Sequence, residues 1–292
     1  CELHFLTKRS YASILEPNPY VDQVWTIEKR VGEVKAKLQA ENFDYLIDLH
    51  HNIRSRQVKW ALKAKTFTFD KINWQKWLMV NFKINHLPNI HIVDRYLEPA
   101  TKLGVKNDGK GLDYFVPKDQ EVNISAQFQI QEKYIAFVIG AAHATKRLPG
   151  EKIIEICRQI ELPILLLGGP AEAQKGQLIA AQSGLHVINT CGKLKLHQSA
   201  SVVRQAYKVI THDTGMMHIA AAFHKEILSL WGNTIPEFGM YPYYGNQRDR
   251  NTTFEVQNLS CRPCSKIGHE TCPKGHFKCM QLQEVDAITL DK

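Results

Sequence analysis

Short apolar runs alternate along the chain with longer segments whose apolar residues recur at helical spacing. Apolar runs of roughly four to eight residues between turn residues are typical of buried strands, and recurrence every three to four residues indicates an amphipathic helix. The first half predicts strands at Glu2–Leu6, Gln23–Ile27, Tyr45–Leu49 and Thr66–Phe69 and helices at Arg30–Ala40, Ile53–Ala64 and His91–Leu103. This alternation indicates an α/β fold with parallel sheets.

The second half repeats the alternation more regularly. It predicts strands at Tyr134–Ile139, Ile164–Leu167, His186–Asn189, Lys208–Thr211 and Ile227–Leu230 and helices at Glu151–Gln159, Ala171–Ser183, Gln198–Ala206 and Met216–Phe223. Strands joined in this way by helical crossovers make a complete Rossmann-like domain. Between the halves lies a segment rich in Gly, Asp and Lys with a strand-like Asp113–Val116, and it predicts a linker near Val116–Ser125. We expect two domains, at residues 1–120 and 126–292.

Composition narrows the class of protein. A length of 292 residues with 44% hydrophobic and 23% charged residues favours a globular protein of two domains. No apolar run approaches the roughly 18 residues that a membrane-spanning helix needs. The seven cysteines are an odd number, and four of them crowd into Cys261–Cys279, which favours a reducing compartment such as the cytoplasm over a disulfide scaffold.

The net charge of +8 is unevenly distributed. Between His51 and His86 there are eight Lys or Arg residues and one acidic residue, Asp70. Such a segment suits an anionic partner, which can be a phosphorylated glycolipid, an anionic membrane surface or a nucleic acid, and a solvated basic surface is an equal alternative. Trp60, Trp74 and Trp77 in this segment are expected in the core, the commoner position of Trp.

Three loops that follow predicted strands carry candidate chemistry, because ligands of such sheets bind beyond the carboxyl ends of the strands. In the first, Gly140–Pro149, the Thr145 hydroxyl, Lys146 and Arg147 suit a pyrophosphate, unless this is only an exposed basic loop. The second is the tight turn Leu167–Pro170, where Gly168 makes helix amides available to an anion or a base edge. The alternative is a turn with a structural role only.

The third loop is Thr211–His218. Asp213 or Thr214 is expected to cap the following helix, and Gly215 permits close approach to its amide end, which favours a phosphate. His218, in the first turn, is suited to donate to a phosphate oxygen. The alternative is a capped helix with a core histidine.

Four cysteines form a further candidate site. Cys261, Cys264, Cys272 and Cys279 have the spacing C-x2-C-x7-C-x6-C. Two thiolates of a Cys-x2-Cys pair grip one zinc ion, and two more complete a tetrahedron, so we predict a structural zinc site. His269 or His276 could replace one of these ligands, and reduced thiols or a disulfide pair are the alternatives to zinc.

From Tyr134 to about Pro242 the chain resembles the donor domain of glycosyltransferase family 9, the ADP-heptose:lipopolysaccharide heptosyltransferases. The matching elements, in the family's order, are Thr145–Pro149, Leu166–Pro170, Asn189–Lys193, Asp213–His218 and Leu230–Thr234. The first half resembles the family more loosely, at His4–Lys8, Asn18–Asp22, Tyr45–Leu49, Arg54–Arg56 and His91–Tyr96. The chain departs from the family at Leu148, where Trp is usual, and at Met216, where Pro is usual.

The resemblance implies a GT-B fold, in which two Rossmann-like domains face a cleft. It implies transfer of a heptose or similar sugar, with inversion, from an ADP-sugar to an anionic lipopolysaccharide inner-core acceptor, without a metal cofactor or a nucleic-acid partner. Such a protein would act in the bacterial cytoplasm, peripheral to the inner membrane. By position, Thr145 and Lys146 would contact the donor diphosphate, Asp213 would face the donor, and Thr214, Gly215 and His218 would line its phosphate end.

In the first domain, Arg54 and Arg56 are the candidates for the acceptor, with Lys59 and Lys63 as longer-range attraction. The family's catalytic base is an Asp in a Gly-Asp loop after the first strand, and no such loop occurs near Cys1. We therefore expect an incomplete first domain that lacks about one strand and helix. The catalytic residue stays unknown, and this chain alone is expected to be impaired in catalysis.

Two other functions stay open from the sequence. A GT-B nucleotide-sugar epimerase would need further carboxylates near the donor sugar and no lipid acceptor. A non-catalytic nucleic-acid-binding protein, built on the cysteines and the basic charge, would bind random DNA in a salt-dependent way.

Overall fold

The computed structural model describes residues 1–288 and divides into two compact units. Unit 1 comprises Cys1–Asn73 and Ile90–Asp108, and unit 2 comprises Trp74–Asn89 and the described chain from Gly109 onward. This division differs from the predicted domains 1–120 and 126–292. Hydrogen bonds tie the reassigned segments to unit 2, since Lys83 Nζ donates to Pro263 O and Asn246 N donates to Gly109 O, both at 2.7 Å.

Unit 1 contains two separate parallel strand pairs. Its strands are β1 (His4–Lys8), β2 (Gln23–Ile27), β3 (Tyr45–Asp48) and β4 (Lys65–Thr68). Its helices are α1 (Ala12–Leu15), α2 (Lys35–Ala40), α3 (Ile53–Leu62) and α5 (Ile92–Thr101), and α4 belongs to unit 2. β1 pairs with β2 and β3 pairs with β4. Helix α2 begins later than predicted because Val31–Glu33 forms a 3-10 turn, in which the Glu33 carboxylate accepts the Arg30 amide.

Unit 2 is built on one six-stranded parallel sheet with the order β10-β9-β8-β5-β6-β7. Its strands are β5 (Ile135–Val138), β6 (Ile164–Leu167), β7 (Val187–Asn189), β8 (Lys208–His212), β9 (Glu226–Trp231) and β10 (Asn251–Glu255). Its helices are α4 (Asn73–Phe82), α6 (Ile124–Phe128), α7 (Gly150–Gln159), α8 (Ala173–Ser183), α9 (Leu196–Gln205), α10 (Gly215–Ala222) and α11 (Lys278–Gln281). The edge strand β10 and the helices α4, α6 and α11 escaped prediction, and the strand predicted at Asp113–Val116 is irregular backbone.

The core of unit 2 lies on both faces of this sheet. Ile135 and Phe137 pack into one apolar cluster, whereas Ala136 and Val138 pack into the other. Both sets are buried, as expected for a parallel sheet covered by helices on each side. Since β9, β8 and β5 are neighbours, the loops that follow their carboxyl ends meet at one edge of the sheet.

The three tryptophans predicted in the core are exposed instead, with 73% of Trp60, 63% of Trp74 and 46% of Trp77 accessible to solvent. Helical spacing placed them on the outward faces of α3 and α4, where the inward positions are taken by smaller side chains such as Val58. Within the described residues, no helix combines the length and the apolar character needed to cross a membrane.

Candidate functional site

An ion pair joins the Gly140–Pro149 loop to the Thr211–His218 loop. Lys146 Nζ is 2.6 Å from Asp213 Oδ2, and both side chains are largely buried, 14% and 7% exposed. Thr234, which follows β9, donates its hydroxyl to the same carboxylate oxygen at 2.8 Å. The structure thus brings together two predicted site residues 67 positions apart and adds Thr234, whose role the sequence did not reveal. The cluster offers one fixed cation beside one fixed carboxylate.

The N-terminus of α10 opens beside this pair. Thr214 occupies the N-cap position in an extended conformation, and neither its side chain nor that of Asp213 caps the helix. The prediction that Asp213 or Thr214 caps this helix is therefore wrong. The Asp213 carboxylate is bound by Lys146 and Thr234 instead. Gly215 is exposed, and a Cβ added there would meet nothing within 4 Å. An uncapped and approachable helix end is suited to an anionic group.

His218 lies in the first turns of α10, close enough to Asp213 and Lys146 for their charges to act on it. Burial lowers the pKa of His218 below its usual value of 6.5, the Asp213 charge raises it and the Lys146 charge lowers it. The net effect favours a neutral imidazole. Its N–H is then suited to hydrogen-bond an anion, which would in turn favour protonation.

Thr145 has contacts that differ from those expected of a phosphate ligand. Its buried hydroxyl donates to His269 O at 3.1 Å and accepts from His269 N at 2.8 Å, while the Thr145 amide also donates to His269 O. The hydroxyl proton of Thr145 is therefore donated to the cysteine-rich segment, which comprises residues 261–279. In this structure Thr145 attaches the Gly140–Pro149 loop to that segment, and its predicted contact with a diphosphate stays a prediction.

Gly168, at the end of β6, is required by packing. A Cβ at this position would come within 2.9 Å of the Glu172 Cβ and 3.0 Å of the Cys191 Sγ. The Glu172 carboxylate accepts the Gly169 amide at 2.9 Å and faces Arg147 at 3.5 Å. A buried carboxylate thus occupies the turn where we expected amides available to an anion, and the predicted donor contact of Gly168 stays a prediction.

The cysteine-rich segment braces the same edge of the sheet. Arg262 donates to Gly232 O at 2.6 Å and to Thr234 O at 2.9 Å, and its guanidinium also pairs with Glu255. Cys264 N donates to Asn233 O at 3.2 Å. Together with the Thr145 contacts, these bonds attach the segment to the loop that carries Lys146 and to the loop that carries Thr234.

The four cysteines of the predicted zinc site are free thiols. Cys261 Sγ lies 3.8 Å from His276 Nε2, and burial raises the pKa of Cys279 to about 12. Over residues 1–288, no three or more His, Cys, Asp or Glu side chains are arranged to hold a metal ion. The zinc site therefore stays a prediction, which metal analysis of the purified protein would test.

The acceptor candidates lie in unit 1, on the first turn of α3. The side chains of Arg54 and Arg56 are exposed, as a binding role requires. Lys59, expected to act at longer range, instead pairs with the buried Asp48 at 2.9 Å. Although burial opposes ionisation, Lys59 and the amides of His51 and His50 lower the pKa of Asp48 to about 2. This carboxylate therefore stays ionised and fixes the start of α3.

His212 lies at the end of β8, and no role was predicted for it from the sequence. It is fully buried, and its Nε2 accepts the Leu148 amide at 3.0 Å, which holds the loop that carries Lys146 against the sheet. Burial lowers the pKa of His212 to about 3, and the charges of Lys175 and Arg147 act in the same direction. The imidazole is neutral in the folded protein.

This buried histidine predicts a loss of stability in acid. The unfolded chain binds a proton at His212 below its usual pKa of 6.5, whereas the folded chain does not until about pH 3. Stability is therefore complete above about pH 6.5 and falls as the pH falls, by about 2 kcal/mol between pH 6 and pH 4.5 from this group. His212→Gln, which keeps a hydrogen-bond acceptor, is expected to remove that part of the pH dependence in urea unfolding. An identical pH slope in the variant and the wild type would contradict the assignment.

Comparisons with known proteins agree on one relationship. The family model described as glycosyltransferase family 9 (heptosyltransferase) matches residues 31–274. Lipopolysaccharide heptosyltransferase 1 of Campylobacter coli is 23% identical over 265 residues, which cover 80% of this chain and 75% of that protein. Lipopolysaccharide heptosyltransferase 2 of Salmonella typhimurium is 24% identical over 164 residues, 50% of this chain and 47% of that protein.

Solved structures show the same fold. The glycosyl transferase family 9 protein from Veillonella parvula matches with a TM-score of 0.75 and 21% identity, covering 98% of this chain and 86% of that one. The ADP-heptose lps heptosyltransferase II of E. coli matches with a TM-score of 0.67 and 18% identity, covering 96% and 88%. The prediction of an α/β fold with parallel sheets, as in GT-B heptosyltransferases, is confirmed.

Proposed function

The chain belongs to glycosyltransferase family 9, and from this membership we propose that it transfers a heptose or similar sugar from an ADP-sugar to the lipopolysaccharide inner core, with inversion at the anomeric carbon. The observation that carries the proposal is the Lys146–Asp213 pair at the open N-terminus of α10. A cation and helix amides at one point suit a diphosphate, the leaving group of a nucleotide-sugar. Relatives named lipopolysaccharide heptosyltransferases, and an E. coli heptosyltransferase solved with ADP, support the choice of donor and acceptor.

The proposed chemistry depends on where charge develops. As the bond between the sugar and the diphosphate breaks, negative charge grows on the leaving group. Lys146 and the α10 amides stabilise the transition state, in which this charge has grown, more than they stabilise the bound substrate. The free-energy barrier to transfer is therefore lower. The incoming diphosphate competes with Asp213 for Lys146, while Thr234 still holds the carboxylate. His218 donates an N–H to the diphosphate and becomes easier to protonate as negative charge accumulates.

These fixed charges are proposed to suffice without a divalent metal or other cofactor. The acceptor hydroxyl must lose its proton to a carboxylate, and we assign that base to none of the described residues. Arg54 and Arg56, exposed on α3, are proposed to bind carboxylates or phosphates of the glycolipid. A lipid-linked acceptor places the protein in the bacterial cytoplasm at the inner face of the inner membrane, with no nucleic acid as partner.

Thermal stabilisation by ADP, UDP and GDP tests this proposal. A nucleotide that binds the folded state raises the unfolding temperature according to its concentration relative to Kd. We expect a rise with ADP and none with UDP or GDP. A rise with UDP or GDP alone would contradict the ADP assignment. Formation of an epimer from a nucleotide-sugar without acceptor would favour the epimerase, and salt-dependent binding of random DNA unaffected by ADP would favour a nucleic-acid-binding protein.

A further inference from the structure

Helix α3 of unit 1 presents a mixed apolar and basic face to solvent. Ile53, Arg56, Gln57, Trp60 and the C-cap residue Lys63 are all exposed, with 73% of Ile53 and 73% of Trp60 accessible. These positions recur every three or four residues, so they share one side of the helix. We call these five residues the α3 outer face.

The opposite side of α3 attaches the helix to unit 1. Val58 is buried there. The Lys59 ammonium pairs with Asp48 Oδ2 at 2.9 Å, and Ser55 donates its hydroxyl to the same oxygen at 2.9 Å. Packing and an ion pair thus hold the inner side of the helix, and the outer face is left to solvent or to a partner.

The cations on the exposed side of α3 are not neutralised by the protein. Within the described part of the chain, Arg54, Arg56 and Lys63 form no side-chain hydrogen bond and no ion pair. No Asp or Glu occurs among residues 49–69. The positive charge therefore lies on the same side of the helix as the exposed apolar residues, and it attracts an anionic surface.

The combination of side chains selects an anionic lipid surface among anionic partners. The indole of Trp60 suits the headgroup region of a bilayer, because its ring is apolar and its N–H is polar. Arg and Lys bind lipid phosphates there, while their aliphatic stems lie along apolar surface. A nucleic acid would match only the charge, whereas an anionic bilayer also buries Ile53 and Trp60.

We propose that the α3 outer face docks on the surface of an anionic phospholipid bilayer, with Ile53 and Trp60 in the headgroup region and the neighbouring cations against lipid phosphates. This inference rests on the proposed function, since a lipid-linked acceptor is presented at such a surface. It deepens that function, because Arg54 and Arg56 would then lie at the plane where the acceptor is anchored. The donor residues belong to unit 2, so bilayer binding and nucleotide binding are separable by mutation.

Sedimentation with sucrose-loaded vesicles tests the proposal. The wild type is expected to bind vesicles of phosphatidylcholine mixed with phosphatidylglycerol and to bind pure phosphatidylcholine weakly, with added salt reducing the binding. Ile53→Ala combined with Trp60→Ala is expected to lower the partition coefficient by about 10-fold or more, because the buried apolar area is lost. The matched control is Trp74→Ala combined with Trp77→Ala, which removes two exposed indoles from α4 and should leave the partition coefficient within about 2-fold of wild type.

Lys63→Gln tests the contribution of charge on the same face. Loss of one cation near anionic headgroups is expected to lower binding to the mixed vesicles by about 5-fold. The control is Lys118→Gln, which removes an exposed lysine from unit 2 and should change binding by less than about 2-fold. Equal effects of the two substitutions would show that net charge drives the binding, and would overturn the assignment to α3.

Two thermal measurements separate this proposal from the proposed function. The ligand-free unfolding temperature shows that each variant is folded, and the thermal response to ADP should equal that of the wild type in every variant. The membrane proposal would be overturned by a wild type that does not bind the mixed vesicles, or by equal binding of the wild type and the Ile53–Trp60 double variant. Binding that requires a glycolipid in the vesicle, or a dimer that forms through Trp60 without vesicle binding, would overturn it as well. Absence of an ADP response in the wild type would count against the donor assignment alone.

Discussion

Lys146→Ala is expected to lower kcat/KM for sugar transfer by about 10²- to 10³-fold, the usual effect of removing one preorganised group that stabilises developing negative charge. The Lys146 ammonium is held at the α10 N-terminus by Asp213, in a largely buried position where its charge is weakly screened. Because the same cation would bind the diphosphate of ADP, the variant should also bind ADP more weakly. Steady-state kinetics of transfer and calorimetric titration with ADP measure the two effects.

Removal of Lys146 also leaves the Asp213 carboxylate buried without its cation, which destabilises the folded protein. The ligand-free unfolding temperature must therefore be measured beside ADP binding. Adding Asp213→Asn to Lys146→Ala is expected to recover stability and not ADP affinity. The control is Lys152→Ala, which removes a lysine that pairs with Glu155 on the surface of α7. Unchanged ADP affinity in Lys146→Ala would refute the diphosphate site.

Arg262→Ala is expected to lower the free energy of unfolding by about 3–5 kcal/mol, as when one partner of a buried ion pair is removed. The Arg262 guanidinium is mostly buried against Glu255 and donates to the carbonyls of Gly232 and Thr234. Its loss leaves a carboxylate and two carbonyl oxygens without their donor. Since Thr234 also holds Asp213, ADP binding should weaken together with stability. Urea unfolding followed by fluorescence gives the first quantity and titration with ADP gives the second.

Two further variants make the Arg262 prediction specific. Arg262→Lys keeps the charge but loses the planar fork, so an intermediate loss of stability is expected. Arg250→Ala removes an exposed arginine with one bond to His224 O, and it should cost about 1 kcal/mol or less. If Arg262→Ala cost no more than Arg250→Ala, the cysteine-rich segment would not brace the donor loops as described.

Much of unit 2 could be predicted from local pattern. The runs at Ile135–Val138 and Ile164–Leu167 are apolar on both faces because helices cover both sides of a parallel sheet, so they stand out in the sequence. The edge strand Asn251–Glu255 was missed because its sequence is largely polar. It lies at the edge of the sheet, where it pairs with β9 and is partly exposed to solvent. In unit 1 the apolar patterns were weaker. On α4 in unit 2, the exposed Trp74 and Trp77 were wrongly expected in the core, because large aromatic side chains are more often buried.

The sequence by itself determined the α/β alternation of the second half, located Lys146 and Asp213 in loops after strands, and located His218 in the first turn of the helix that follows. Both follow from short-range periodicity and from the rule that ligands meet the carboxyl ends of parallel strands. Only the tertiary structure decided which partners these residues have: Thr234 on Asp213, His269 on Thr145, and His212 beneath Leu148. Those contacts join positions distant in the chain, and hydrogen-bond partners are chosen by the geometry of packing, which leaves no periodic trace in the sequence.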